Sequence, residues 1–62
     1  MKALIIDDEN KARRLLKCII EELCPEITTI LEAPDLEIGV ALIQQEQPEI
    51  VYLDIEMPEY SG

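Results

Sequence analysis

The 62-residue chain has no histidine, no tryptophan and no phenylalanine, and its only aromatic residues are two tyrosines. It has five basic residues against fourteen acidic ones, for a formal charge of −9. Few aromatics and so few bases exclude a nucleic-acid-binding surface. With no histidine, and two cysteines that do not form a C-x-x-C pair, the chain lacks a zinc ligand set. Two glycines and four prolines are too few for collagen-like or low-complexity sequence. No uninterrupted apolar run is longer than the four residues of Ala3-Leu4-Ile5-Ile6. That is far short of a membrane span or a signal-peptide core. Apolar residues still make up 48% of the chain, which excludes a disordered polar tail. The length allows one domain at most, burying only about 60% of its unfolded surface, so its stability is marginal. A strong negative charge repels phosphate backbones and makes a cation a natural partner.

Cys18 and Cys24 both fall in what reads as one helix. Six residues at ~1.5 Å rise separate them by about 9 Å, too far for a disulfide without unwinding. They are expected to be free thiols serving as small buried or half-buried hydrophobes, and the expected setting is cytoplasmic.

Pro25, Pro34, Pro48 and Pro58 divide the chain into five segments, each with its own hydrophobic period. Ala3 to Ile6 is apolar on both faces and ends in charge, which predicts a central parallel strand. Asn10 is expected to cap the helix that follows. Ala12, Leu15, Leu16, Ile19, Ile20 and Leu23 fall at i, i+3, i+4, i+7, i+8 and i+11, an amphipathic stripe that Pro25 ends. Ile27 to Ala33 is β-branched and mixed in polarity, which suits an edge strand. Asp35 is the expected cap of a second helix turning Ile38, Ala41, Leu42 and Gln45 inward. Gly39 inside it costs roughly 1 kcal/mol relative to alanine. Ile50 to Leu53 then forms a third strand, ending in Asp54. The order β-α-β-α-β predicts an α/β fold with parallel pairing and right-handed crossovers. A first strand in the middle and a second at the edge give the order 2-1-3, the start of a flavodoxin-like doubly wound sheet.

One pattern runs against local physics. Lys11, Arg13, Arg14 and Lys17 crowd the start of the first helix, and Glu21 and Glu22 lie near its end. The helix dipole prefers the reverse by about 0.3–1 kcal/mol per charge. The basic turn is expected to neutralise part of the acidic triplet before it, unless it is simply a solvated face.

The acidic residues are placed for chemistry. Ligands of parallel α/β sheets bind at the C-terminal ends of the strands. The first strand there delivers Asp7-Asp8-Glu9 and the third delivers Asp54, then Glu56. Neighbouring strands lie about 4.8 Å apart, so these carboxylates should converge. Anions that close either raise a pKa or hold a cation. Oxygen-only ligands favour a hard cation, Mg2+ first. A carboxylate beside it can attack phosphorus and form an aspartyl phosphate.

Leu4-Ile5-Ile6-Asp7-Asp8-Glu9, taken with Leu53-Asp54-Ile55-Glu56-Met57-Pro58-Glu59-Tyr60-Ser61-Gly62, resembles the receiver domain of bacterial two-component response regulators. Arg13 and the form of the Asp54 motif resemble the subgroup carrying a LytTR-type DNA-binding domain. The resemblance implies that residues 1–62 are the first half of a receiver. It makes Asp54 the phosphoacceptor for a sensor histidine kinase. Mg2+ would be held by Asp8, Asp54 and the backbone carbonyl of Glu56, with Asp7 helping through water or from behind. Met57-Pro58 would shape the loop, Gly62 would serve the approach to a third helix, and the first helix would dock the kinase. A receiver's later hydroxyl, lysine and aromatic switch residues have no counterpart in these 62 residues, so impaired phosphotransfer and switching are expected.

The alternative is an interaction fragment without phosphotransfer. Ile50-Val51-Tyr52-Leu53 is an apolar, β-prone edge that recruits another strand, which predicts a homodimer or a domain swap. A carboxylate-pair hydrolase fits less well, because no histidine or lysine accompanies the acids. Tyr52 reads as packing, Tyr60 and Ser61 as loop surface, and Gln44 to Gln47 as a solvated helix end.

Overall fold

The computed structural model describes residues 1–54. Five elements follow in the order β1 (Lys2–Asp7), α1 (Asn10–Leu23), β2 (Thr29–Ala33), α2 (Leu36–Glu46) and β3 (Ile50–Asp54). All pairing is parallel, in the order β2-β1-β3. The α/β class and the 2-1-3 order expected from the sequence are those observed.

β1 is central because both its faces are apolar. Ala3, Leu4, Ile5 and Ile6 are all buried. Ala3 and Ile5 pack with Ile20 of α1 and with Ile27. Leu4 and Ile6 pack on the opposite face with Ala33, and Leu31 and Leu42 close over them. The core of the described residues thus lies on both faces of β1, with α1 on one side and α2 on the other.

The helix ends follow local chemistry, with one correction. The cap of α1 is Glu9, not Asn10, and its side chain makes no capping bond. Asn10 is drawn into the first turn, where its side-chain oxygen accepts from Arg13 Nη2. Pro25 disfavours helical backbone at the residue before it. Cys24 accordingly leaves the helix at φ −126°, its amide donating to the Ile20 carbonyl at 2.8 Å. Asp35 caps α2 as expected, accepting from the Ile38 amide at 2.9 Å. α2 ends at Gln47 in the left-handed region, φ 51°, immediately before Pro48.

Both helices are rotated relative to the sequence expectation. In α1 only Ile20 is buried, with Leu16 half-buried against the core. Leu15, Ile19 and Leu23 point to solvent, because the apolar stripe is wider than the strip of sheet beneath it. In α2 the inward residues are Gly39 and Leu42, while Ile38, Ala41 and Gln45 are exposed. The reason lies at Gly39. A Cβ there would sit 2.5 Å from Ile6 Cδ1 and 2.9 Å from Ile6 Cγ1. The missing side chain lets the helix backbone press onto β1, and that approach sets the rotation of α2.

The cysteines also divide. Both are free, but Cys18 is exposed rather than buried, and only Cys24 is half-buried against the core. β3 lies at the sheet edge opposite β2. Val51 and Leu53 pair in register with Leu4 and Ile6, on the α2 face of the sheet. α2 covers β1 and β2, and Leu53 remains 60% exposed.

Candidate functional site

The site grows from the C-terminal ends of β1 and β3. Parallel pairing continues to the last residue of each strand and sets Asp7 directly beside Asp54. After Asp7 the chain must turn into α1. The Glu9 amide donates to Asp7 Oδ1 at 2.9 Å, which closes that turn. Asp8 and Glu9 are thereby left exposed above the sheet, while Asp7 is buried. Asp7, Asp8, Glu9, Ala12 and Asp54 line one cavity of about 180 Å³, room for several waters. The convergence expected of Asp7, Asp8 and Asp54 is therefore present. Glu56, together with Met57, Pro58, Tyr60, Ser61 and Gly62, lies outside the described residues.

Among the described residues, no basic side chain lines this cavity. The expectation that the basic turn would neutralise the acidic triplet is not met by Arg13, the base best placed to do it. Its Nη1 donates at 2.6 Å to the main-chain carbonyl of Asp7 rather than to a carboxylate. Its Nε pairs at 3.2 Å with Glu32 of β2, which Lys17 also approaches at 3.8 Å. The guanidinium thus ties the β1–α1 turn to β2 and leaves the site carboxylates without a cationic side chain. Sequence reasoning missed Glu32, and its one signal was a carboxylate in an otherwise apolar and neutral strand.

The donor set suits a hard cation, because every polar side chain that lines the cavity among the described residues offers carboxylate oxygen. Among the described residues, no three acidic or thiol side chains make a metal cage by themselves. Mg2+ does not require one, since it keeps several waters and takes one or two protein carboxylates. Asp8 and Asp54 both line the cavity, with the buried Asp7 paired beside Asp54.

The family model for the response regulator receiver domain matches residues 3–62. Among curated proteins, the chain is 37% identical over 60 residues to an uncharacterized response regulatory protein of Vibrio cholerae, covering 97% of this chain and 23% of that protein. It is 40% identical over 62 residues to a second uncharacterized response regulatory protein of the same organism, covering 100% of this chain and 26% of that one. It is also 40% identical over 62 residues to a protein-glutamate methylesterase/protein-glutamine glutaminase of Methylobacillus flagellatus, covering 100% of this chain and 17% of that enzyme. The chain thus spans about a quarter or less of the length of these relatives. No solved structure matches it.

Proposed function

The chain belongs to the response regulator receiver family, and from that membership we propose that it is a phosphoacceptor module, taking phosphate from a sensor histidine kinase onto Asp54. The observation that carries this reading is the pairing of Asp7 with Asp54 at the ligand edge of the sheet, with Asp8 in the same cavity. An Asp54 carboxylate oxygen attacks phosphorus as the phosphorus–nitrogen bond of the phosphohistidine breaks. The imidazole leaves with the bonding electrons, and an acyl phosphate forms on Asp54. Asp8 and Asp54 would hold Mg2+, with Asp7 acting through water. When bound, Mg2+ supplies positive charge for the phosphoryl oxygens. The chain's own part is orientation. The Glu9 amide fixes the Asp7 carboxylate, Arg13 fixes the Asp7 carbonyl, and β1 fixes β3. The module is a signalling component rather than a catalyst. The esterase activity in one relative's name belongs to a much longer protein.

Intact mass after incubation with acetyl phosphate and Mg2+ tests the proposal. One acid-stable, base-labile phosphate is expected on the wild type and none on Asp54→Asn. A folded wild type that takes up no phosphate would refute it. Absence of Mg2+-dependent shifts in the Asp8 and Asp54 backbone resonances would remove the metal from the reading.

A second reading rests on the β3 edge. Val51 and Leu53 leave apolar surface beside a strand with one paired neighbour among the described residues. An edge of that kind adds a strand from another copy. Sedimentation of the wild type against Leu53→Lys tests it, with loss of a dimer in the variant as the expected result.

A further inference from the structure

Asp8 is exposed and forms no ion pair among the described residues, so its direction rests on its backbone. Both peptide groups that flank it are held. The carbonyl before it, that of Asp7, accepts from Arg13 Nη1 at 2.6 Å. The amide after it, that of Glu9, donates to Asp7 Oδ1 at 2.9 Å. Arg13 is itself held from three directions. Its backbone amide donates to the Glu9 carbonyl at 3.0 Å. Its Nε donates to Glu32 Oε1 at 3.2 Å, and its Nη2 donates to the Asn10 side-chain oxygen. Lys17 approaches the other Glu32 oxygen at 3.8 Å. The Arg13 side chain is only 13% exposed. One planar fork thus joins the end of β1, the first turn of α1 and the edge strand β2.

We infer that Arg13 is a positioning residue for Asp8, anchored by Glu32, and that it strengthens cation binding in the acidic cavity despite its own positive charge. The metal in this inference rests on the phosphoacceptor reading, whereas the brace on the turn rests on the hydrogen bonds alone. Two effects of Arg13 on a cation have opposite signs. By Coulomb's law a guanidinium near the cavity repels the cation. By holding the Asp7 carbonyl it orders the turn that carries Asp8, and groups that orient metal ligands from behind typically govern about 10–100-fold in affinity. The geometry favours the second effect. The guanidinium spends its charge on Glu32 and on neutral oxygens, and it lines no part of the cavity. Lysine cannot replace it, because a point charge on a flexible stem lacks the fork that reaches a carbonyl and a carboxylate together. Glu32 acts only through Arg13, by fixing the plane of that fork.

The test is Mg2+ titration of the 62-residue chain, read from the Asp8 and Asp54 backbone resonances, with Arg13→Met and Arg13→Lys beside the wild type. Circular dichroism confirms that each variant stays folded, and the milder Asn10→Ala, which removes one prong of the clamp, serves where Arg13 variants do not. Arg13→Met should weaken Mg2+ binding about tenfold, although losing a positive charge would by itself tighten it. Arg13→Lys, which keeps the charge, should weaken it as well. Glu32→Ala should weaken binding in the wild type and add little in Arg13→Met. Mg2+ affinity in Arg13→Met equal to or above that of the wild type would overturn the inference, since Arg13 would then act through charge or stability alone. So would an equal effect of Glu32→Ala in both backgrounds. A folded wild type whose resonances ignore Mg2+ would instead refute the metal reading. Hydrogen exchange at the Glu9 amide, which needs no metal, then decides the brace: faster exchange in Arg13→Lys upholds it, and unchanged exchange overturns it.

Discussion

Gly39→Ala places two known effects in opposition, and the structure decides which prevails. In a helix interior alanine is worth about 1 kcal/mol over glycine. Taken alone, that predicts a more stable protein. The new Cβ, however, would lie 2.5 Å from Ile6 Cδ1, 2.9 Å from Cγ1 and 3.6 Å from Cγ2. Ile6 Cδ1 can swing aside, but Cγ1 is fixed by a β-branched χ1, and Ile6 is 2% exposed with packed neighbours. Overpacking of this kind costs about 1–3 kcal/mol. The balance is a net loss of about 1 kcal/mol, equivalent to about 4–8 °C in a domain this small. Urea unfolding followed by far-ultraviolet circular dichroism measures it. Ile6→Val removes the Cδ1 atom and alone costs about 0.5–1.5 kcal/mol. In the double variant the two changes should compensate, with a coupling of about 1 kcal/mol in a double-mutant cycle. Because Ile6 precedes Asp7, Gly39→Ala should also shift the Asp7 and Asp8 amide resonances. Gly39→Ala that stabilises by the full helix-propensity difference, with no coupling to Ile6→Val, would refute the close-packing argument.

Three further outcomes follow from named contacts. Gln47 holds φ 51° without a glycine's freedom, so Gln47→Gly should stabilise the chain by about 1 kcal/mol, read as a higher urea midpoint. The Lys2 amide donates to Glu49 Oε1 at 2.7 Å and holds the Glu49 carboxyl below its ordinary range. A carboxyl lowered in the folded state adds stability above its unfolded pKa and loses it as pH falls through the folded one. Wild type should therefore lose stability on acidification through that interval, and Glu49→Gln should lose less, by thermal unfolding across acidic pH. Arg13→Met should destabilise by about 1–2 kcal/mol, since it removes charge-assisted bonds to Glu32 and to the Asp7 carbonyl. Hydrogen exchange at the Glu9 amide should quicken with it, and unchanged protection would show that the guanidinium does not hold the turn.

The topology was legible because each element announces itself within a few residues. The two-sided apolar run of Ala3 to Ile6 could only be central, and Asp35 capped the helix its position implied. Asp7, Asp8 and Asp54 were legible for the same reason, since strand ends and parallel pairing together fix where they meet. Helix rotation was not. It depends on one contact between Gly39 and Ile6, whose distance no periodicity encodes. Nor could periodicity show how little of α1 a three-stranded sheet covers, so Leu15, Ile19 and Leu23 read as core and proved exposed. The partner of Arg13 was hidden by proximity. The acidic triplet stands only a few residues before it, whereas Glu32 is 19 residues away along the chain and arrives through the β1–β2 pairing.

That choice of partner has a consequence for the site. An arginine paired directly with Asp8 or Asp54 would supply internally the positive charge that a cation would otherwise bring, and would weaken any cation's hold. Here the guanidinium is turned away toward Glu32, and its other bonds go to the Asp7 carbonyl and the Asn10 side-chain oxygen rather than to a site carboxylate. It can brace the loop without neutralising it. By pairing with Arg13, Glu32 would help keep the cavity acidic. Glu32→Gln isolates that effect from the brace, because the amide oxygen can still accept from Arg13. If the competition matters, Glu32→Gln should weaken Mg2+ binding while leaving the Glu9 amide protected. Equal Mg2+ affinity in the two proteins would show that the direction of the guanidinium is structural alone.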